Sequence, residues 1–139
     1  MIEILLHELN PPSNLAFSCA VIAAKYQEKW VFVRQKGKPT WELPGGTHEY
    51  DESIEETVRR ELFEETGAKT FTLEPVCISC VNVNGRQSYG LLFYSEINEL
   101  GELLNSEIEE VALFECLPAN LTYPGIHDVL FNRILEYCG

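Results

Sequence analysis

Basic residues are scarce in this sequence. Ten lysines and arginines stand against 22 aspartates and glutamates, which gives a formal net charge of −12 at pH 7. A groove for a nucleic acid polymer is lined with clustered positive charge, so we expect no nucleic acid polymer as a partner. If the ligand is an anion, the acidic side chains must first be neutralised, and a divalent cation is the natural candidate.

Long apolar runs are also missing. No stretch approaches the roughly 20 apolar residues that a membrane helix requires, so no membrane partner is expected. The N-terminal sequence MIEILLHELNPP carries acidic residues near its start, which is not typical of a signal peptide. The sequence shows no internal repeat. Its 139 residues suit a single domain, 1–139, and we expect a cytoplasmic protein that is a monomer or a homodimer.

The cysteines do not form a recognisable framework. They are five in number and scattered: Cys19, Cys77, Cys80, Cys116 and Cys138. This usage predicts reduced, buried thiols, as in a cytosolic protein. The sequence CISC, residues 77–80, has CxxC spacing but lies in a predicted strand. Side chains three residues apart in a strand point to opposite faces, so a metal shared by this pair is not expected.

The remaining pattern mixes strands and helices without strict alternation. Strands are predicted at 15–26, 29–36, 70–83, 86–97 and 111–117, and helices at about 54–66 and 125–138. Gly and Pro predict a loop over 37–46, with a brief strand at 41–43, and residues 98–110 form an acidic connection. Asn84 and Gly85 predict a tight hairpin. This mixture predicts an α/β fold in which helices cover a mixed β-sheet.

The central helix has well-marked ends. Ser53, followed by Glu56 three residues later, forms an S-x-x-E capping box. Gly67 is the type of residue that commonly follows the last helical turn. The helix is therefore predicted from about Ile54 to about Thr66.

One face of this helix changes from apolar to acidic along its length. At 100° per residue, an arc of about 100° contains Ile54, Val58, Glu61, Leu62 and Glu65, and Glu64 lies about 60° beyond Glu61. These three glutamates crowd the C-terminal end, where the helix dipole is already negative. A solvated acidic face is one explanation. Bound Mg²⁺ or Mn²⁺, which prefers oxygen ligands, is the other, and it would remove the repulsion.

Residues 46–68 resemble the signature of the Nudix hydrolase family, whose MutT-like members share the pattern G-x5-E-x7-R-E-U-x-E-E-x-G-U, where U is a bulky aliphatic residue. The matching positions are Gly46, Glu52, Arg60, Glu61, Leu62, Glu64, Glu65 and Gly67. The last position holds the smaller Ala68, and Asp51 replaces the glycine that often precedes the first glutamate. WELPGG before the signature and EIEEVALFECLP after it are also similar to the family.

The resemblance implies a fold and a reaction. The fold is an α/β/α sandwich around a mixed β-sheet. The reaction is the divalent-metal-dependent hydrolysis of a pyrophosphate bond in a nucleoside diphosphate linked to another group, X. The first expected substrate is a nucleoside triphosphate, ordinary or oxidised, which would give the monophosphate and pyrophosphate.

The resemblance also implies which residues act. Glu61, Glu64 and Glu65 would hold Mg²⁺ or Mn²⁺, and one of them would act as the base. Gly45 or Gly46 would contribute a backbone carbonyl to the metal. Arg60 and Glu52 would orient the catalytic glutamates. A further acidic metal ligand is expected from a later loop, with Glu107 as the choice and Glu109 and Glu110 as rivals.

Substrate contacts are assigned less directly. Arg34 and Lys36, with Lys38, lie just before the PGG loop and are candidates for binding phosphates. Trp41 and Tyr123, with Phe32 and Tyr89 as further candidates, could stack on a base. Some relatives have lysine directly after Gly-Gly, where this chain has Thr47 and His48. His127, at the start of the last helix, is expected to be structural.

Other functions remain open at this point. Within the family, the alternatives are a nucleotide-sugar, dinucleoside polyphosphate or RNA-cap hydrolase. A non-catalytic Nudix binding or regulatory module is a different class, which the intact glutamates oppose. A calcium-binding structural protein is not favoured because the EF-hand spacing is absent.

Overall fold

The computed structural model describes residues 2–9, 16–103 and 107–139. The strands are β1 (Ile2–His7), β2 (Cys19–Tyr26), β3 (Lys29–Gln35), β4 (Gly45–Thr47), β5 (Ala68–Phe71), β6 (Glu74–Val83), β7 (Arg86–Leu100) and β8 (Ile108–Phe114). The helices are α1 (Ile54–Thr66) and α2 (His127–Cys138). Neither of these two helices of the described chain has the length and apolar character needed to cross a membrane.

The strands form one mixed sheet, as predicted. Its order is β1-β6-β7-β2-β3-β8, with β4 beside β2 and β5 beside β7. The two central strands β2 and β7 are parallel, with Cys19 opposite Gly90 and Tyr26 opposite Ile97. The Asn84–Gly85 hairpin between β6 and β7 is confirmed, and both residues have positive φ, 53° and 88°. Positive φ at both central residues is the geometry that favours Asn-Gly.

The two helices cover opposite faces of this sheet, which gives the predicted α/β/α sandwich. Alternation along β2 sends successive side chains to opposite faces. Ile22 therefore packs in one core cluster with Val58 and Leu62 of α1. Ala23 packs in a second cluster with Leu130 and other residues of α2.

Helix α1 has the predicted ends. The Ser53 hydroxyl accepts a hydrogen bond from the Glu56 amide at 3.1 Å, and the Glu56 carboxylate accepts one from the Ser53 amide at 2.7 Å. Gly67 follows the helix with φ at 81°, a conformation that glycine adopts without strain. The capping box and the C-terminal glycine thus fix the register of the glutamates on this helix.

Several predicted strand limits are wrong. The predicted strand 70–83 is two strands, β5 and β6, which lie along the same edge of β7. They are interrupted where the Thr72 hydroxyl, in place of a backbone carbonyl, accepts the Glu96 amide at 3.1 Å. The β7 strand continues to Leu100, and β8 occupies Ile108–Phe114 instead of 111–117. The sequence analysis missed these strand ends because both lie partly in solvent, and their acidic residues resemble those of a loop.

The structure also corrects the predicted loop and two smaller limits. Residues 45–47 form β4, which pairs with residues 19–21 of β2. The expected strand at 41–43 is reduced to isolated bridges from Trp41 to Leu121 and from Glu42 to Val33. The first predicted strand begins at Cys19, and its residue 15 lies outside the described residues. Helix α2 begins two residues later than expected, after the positive φ of Gly125.

All five cysteines are free thiols, as predicted. Cys77 and Cys80 are buried, but Cys116 and Cys138 are exposed, so the expectation of burial is wrong for these two. Cys116 lies beyond the end of β8, and Cys138 is the last residue of α2.

Candidate functional site

The glutamates of α1 lie against the two glycines of β4. The Gly45 amide donates a hydrogen bond to Glu65 Oε1 at 3.0 Å. A Cβ atom at Gly46 would collide with the Glu61 carboxyl group, only 2.5 Å from its Oε2. A residue with a Cβ at this position would therefore have to displace the Glu61 carboxyl group. The two carboxyl groups form one wall of the candidate site.

Arg60 joins three of the predicted site residues. Its Nε and Nη2 atoms donate to the two oxygens of Glu52 at 3.1 and 2.7 Å. Its Nη1 atom donates to Glu61 Oε1 at 2.6 Å and lies 3.6 Å from Glu64 Oε2. Nη2 also reaches the Thr47 carbonyl oxygen at 3.3 Å. The bidentate pair with Glu52 fixes the plane of the guanidinium, which in turn contacts the Glu61 carboxylate.

The same network continues to two residues that sequence reasoning did not assign. The hydroxyl of Thr57 donates to Glu52 Oε1 at 2.7 Å, and His48 Nδ1 lies 2.8 Å from that hydroxyl. Thr57 is fully buried on α1. The signal in the sequence was a polar residue three positions after Ile54, next to the apolar face of a predicted helix.

Burial and like charge set the protonation of the glutamates. Burial raises the pKa of Glu65 to about 8, and the nearby carboxyl groups of Glu61 and Glu42 add to the rise against the hydrogen bond from Gly45. Burial also raises the pKa of Glu61, opposed by Arg60. In contrast, the hydrogen bonds from Arg60, and then that from Thr57, lower the pKa of Glu52 to about 2. Glu52 is thus held ionised, whereas Glu65 lacks a counter-charge.

The donor set fits a hard divalent cation. Carboxylate and carbonyl oxygens are the ligands that Mg²⁺ and Mn²⁺ prefer, and a cation would compensate the buried charge of Glu65. Glu42 is also buried, and its Oε2 atom has no hydrogen-bond partner among the residues that the structure describes. Within residues 2–9, 16–103 and 107–139, no three His, Cys, Asp or Glu side chains are placed to hold a metal by themselves. Mg²⁺ usually keeps several waters and binds one or two carboxylates together with substrate phosphates, so a partial protein shell suffices.

A cavity of about 310 Å³ adjoins β4 on the side of α2. Ligand sites of this kind begin at about 300 Å³, so the cavity is large enough for a small molecule. Its lining combines apolar and hydroxyl-bearing side chains, among them Val21, Thr47, Ser79, Val81, Ser88 and Ile126. Glu42, Tyr123 and His127 line it as well. Gly45 and Gly46, which contact Glu65 and Glu61, also line the cavity, whereas these glutamates of α1 are not among its lining residues.

His127 has a structural contact, in line with the sequence expectation. Its Nδ1 atom accepts a hydrogen bond from the Leu43 amide at 3.1 Å. Burial lowers the pKa of His127 to about 4, so the ring is neutral at pH 7 and carries its proton on Nε2. The ring of Tyr123 packs against it at 5.1 Å between centroids.

The predicted substrate residues do not all meet at this cavity. Tyr123 lines it, whereas Arg34, Lys36 and Trp41 are not among its lining residues. Arg34 donates to Glu110 at 3.2 Å and to the Lys38 carbonyl oxygen at 3.1 Å, and its guanidinium lies 5.8 Å from the Trp41 ring centre. Arg34 is thus engaged within the protein, and the side chain of Lys36 is exposed.

Two further aromatic candidates belong to the core instead. Phe32 is fully buried, and Tyr89 is partly buried against the core cluster on the α1 face. Trp41 likewise packs edge-on against Phe114, with 5.1 Å between ring centroids. Packing within the protein therefore explains these three rings, and no contact with a ligand is needed to explain them.

The sequence also predicts an acidic metal ligand from a later loop. Neither the backbone contact of Glu107 nor the ion pair of Glu110 joins these candidates to the glutamates of α1. Glu107 lies immediately before β8, and its carbonyl oxygen accepts the Lys36 amide at 3.0 Å. Its rival Glu110 forms the ion pair with Arg34. Residues 104–106 lie outside the described chain. The metal role of Glu107 therefore stays a prediction.

Comparison with known proteins gives a family and partial relatives. A family model described as the NUDIX domain matches residues 12–120. A MutT-like protein of Streptomyces ambofaciens is 37% identical over 62 residues, which are 45% of this chain and 40% of that protein. A proposed 8-oxo-dGTP diphosphatase of Bacillus subtilis (strain 168) is 43% identical over 47 residues, 34% of this chain and 32% of that protein. The matches thus span less than half the length of these curated relatives.

Solved structures share the fold over nearly the whole chain. A mutant of the Bacillus subtilis pyrophosphohydrolase BsRppH superposes with a TM-score of 0.78 at 21% identity, over 96% of this chain and 90% of that one. An ADP-ribose pyrophosphatase from Streptococcus suis 89-1591 gives a TM-score of 0.66 at 19% identity, over 86% and 90%. The family model covers most of the sequence, and the residues of its signature converge on one site. The chain therefore belongs to the Nudix family.

Proposed function

We propose that this protein hydrolyses a pyrophosphate bond in a nucleoside diphosphate linked to another group, X, with Mg²⁺ or Mn²⁺ as its cofactor. The observation that carries the proposal is the packing of Glu61 and Glu65 against Gly45 and Gly46. This packing places two half-buried carboxyl groups against the glycines of β4, which also line the cavity.

The proposed roles follow from the contacts. Glu65 and Glu61, with Glu64 at the rim, would hold the cation together with a backbone carbonyl of Gly45 or Gly46. A divalent cation in such a site polarises phosphate oxygens and lowers the pKa of a bound water. Phosphoryl transfer depends mainly on positioning and on neutralising charge, which suits a group of carboxylates that would hold a cation.

The surrounding residues would keep this arrangement in place. Arg60 holds the Glu61 carboxylate at 2.6 Å and is itself held by Glu52. We propose Glu107 as an additional metal ligand. We also propose Arg34 and Lys36 as phosphate contacts, but these two assignments have less support because neither residue lines the cavity. Tyr123 lines the cavity and is the better candidate for contact with a base, and Trp41 is the weaker one.

The first candidate substrate is a nucleoside triphosphate, ordinary or oxidised, converted to the monophosphate and pyrophosphate. The short matches to a MutT-like protein and to a proposed 8-oxo-dGTP diphosphatase support this choice. The cavity volume of about 310 Å³ also favours a small nucleotide over a long polymer. ADP-ribose belongs on the test panel because a structure with the same fold is an ADP-ribose pyrophosphatase.

The test is a product-release assay. The protein is incubated with Mg²⁺ and nucleoside triphosphates, 8-oxo-dGTP, ADP-ribose, nucleotide sugars, dinucleoside polyphosphates or capped RNA, and the products are separated by chromatography. Glu65→Gln is run beside the matched control Glu55→Gln, whose glutamate lies on the same helix, is exposed and pairs with Arg59 at 3.3 Å. We expect cleavage of one substrate class, reduced by at least about a hundredfold in Glu65→Gln and unchanged in Glu55→Gln.

Two results would contradict the proposal. Full activity in Glu65→Gln would show that the glutamate does not hold the cation. Absence of cleavage across the panel, with the folded protein binding nucleotide, would favour a binding module.

A further inference from the structure

The hydroxyl of Thr57 sits at the end of the hydrogen-bond chain that reaches the Glu61 carboxylate. It lies 2.7 Å from Glu52 Oε1, 2.8 Å from His48 Nδ1 and 3.3 Å from the Ser53 carbonyl oxygen. Thr57 is fully buried, so water does not compete for these contacts. A threonine at a buried helix position would ordinarily bond back to the preceding turn, and here that bond is the longest of the three.

The chemistry of the three groups fixes which one donates. A hydroxyl has one proton and can accept two further hydrogen bonds. The proton goes to Glu52, because a carboxylate is the strongest acceptor present and the distance is short. His48 must then donate its Nδ1 proton to the Thr57 oxygen. The hydroxyl is thereby held from both sides and has no freedom to rotate.

The rigid hydroxyl acts on the carboxylate that it contacts. Glu52 Oε1 receives both Thr57, at 2.7 Å, and Arg60 Nη2, at 2.7 Å, while Glu52 Oε2 receives Arg60 Nε at 3.1 Å. The Glu49 amide also donates to Glu52 Oε1, at 3.2 Å, so Thr57 adds a buried side-chain contact from α1 to a carboxylate that its own turn and Arg60 already hold. Arg60 in turn donates to Glu61 at 2.6 Å.

We propose that Thr57 is a positioning residue, which with His48 fixes the Glu52–Arg60 pair and so holds the Glu61 carboxylate against Gly46. This inference rests on the proposed function for the role of Glu61 as a metal ligand. It concerns two residues at positions of the family signature where the pattern specifies no residue type.

The test separates positioning from simple stability. Thr57→Val keeps the shape and burial of the side chain but removes the hydroxyl, and Thr57→Ser restores it. Thr66→Val is the matched control, because Thr66 is also a buried threonine of α1, but the groups that its hydroxyl bonds in the described chain are backbone groups. These are the Leu62 carbonyl oxygen, at 2.6 Å, and the Ala68 amide, at 3.1 Å. Each protein is titrated with Mn²⁺ alone by electron paramagnetic resonance, and its melting temperature is measured with a chelator.

We expect Thr57→Val to weaken Mn²⁺ binding by about tenfold, the lower end of the effect of removing an outer partner of a metal ligand, because Arg60 still holds Glu52. Thr57→Ser should recover most of the affinity. Thr66→Val should lower the melting temperature without changing the Mn²⁺ affinity. In turnover assays, Thr57→Val should lower kcat more than it changes KM. His48→Ala should act in the same direction as Thr57→Val.

The inference is overturned if Thr57→Val binds Mn²⁺ as the wild type does, if Thr66→Val loses the same affinity, or if the wild type binds no Mn²⁺. The Mn²⁺ titration needs no turnover, so its result is independent of the substrate panel. A protein that cleaves nothing but shows the Thr57 pattern in Mn²⁺ affinity would refute the proposed function and keep the inference. A protein that cleaves a nucleotide but whose Mn²⁺ affinity is unchanged in Thr57→Val would support the proposed function and refute the inference.

Discussion

Replacing Glu65 by glutamine should stabilise the metal-free protein at neutral pH while it abolishes turnover. Burial raises the pKa of Glu65 from its ordinary 4.5 to about 8, so the folded state disfavours the charge that the unfolded chain carries. Glutamine has the same shape, is neutral, and can still accept the hydrogen bond from the Gly45 amide. The substitution therefore removes the cost of the carboxylate and keeps the contact.

The magnitude follows from the two pKa values. Each pKa unit corresponds to about 1.36 kcal/mol. At pH 7 the unfolded carboxyl group is ionised and the folded one is mostly protonated, which costs the wild-type fold about 3 kcal/mol. At pH 5 the same cost falls below about 1 kcal/mol. The favourable contribution of the protonated group is present in full below pH 4.5 and is lost as the pH rises towards 8.

The assay is urea unfolding of both proteins in the presence of a chelator at pH 5 and pH 7. We expect Glu65→Gln to be more stable at both values, with the larger advantage at pH 7. Added Mg²⁺ should stabilise the wild type and not the variant, because only the wild type provides the anionic ligand. A variant that is less stable than the wild type at pH 7, or an advantage that does not grow with pH, would refute the reasoning from burial.

Three further results are expected. Millimolar Mg²⁺ should raise the melting temperature of the wild type by mass action, measured by calorimetry, and no change would argue against a metal site. Gly46→Ala should abolish Mn²⁺ binding and turnover, because its Cβ would displace the Glu61 carboxylate; retained binding would show that Glu61 is not a ligand. His127→Gln should reduce the loss of unfolding free energy that occurs as the pH falls from 6.5 towards 4. The lowered pKa of His127, about 4, contributes about 3 kcal/mol above pH 6.5 that is lost as the pH falls towards 4, so equal slopes in both proteins would contradict its burial as a neutral ring.

Helix α1 and the relative placement of its glutamates could be predicted from the sequence. Ser53, Glu56 and Gly67 determine both ends of the helix through contacts between near neighbours. The helical period then fixes the angle between Glu61 and Glu65. The hairpin at Asn84 was predictable for the same reason, because its backbone conformation is decided by two adjacent residues.

Strand β4 and its partners could not be predicted in this way. Gly45 and Gly46 form a strand only because β2 offers a free edge to residues 45–47, and local sequence does not encode that pairing. The prediction that Arg34 and Trp41 contact the substrate depended on their nearness to the PGG loop. In the structure both residues are engaged with each other and with side chains from β8, which lie far away in sequence.

The sequence by itself determined that three carboxylates stand at the C-terminal end of one helix, since the period and caps of a helix are local properties. Only the tertiary structure decided what those carboxylates contact. The close approach of Gly46 to Glu61, the burial that raises the pKa of Glu65, and the link from Thr57 to Glu52 all depend on how separate segments pack. Burial and long-range contact are properties of the assembled fold, and no short stretch of sequence contains them.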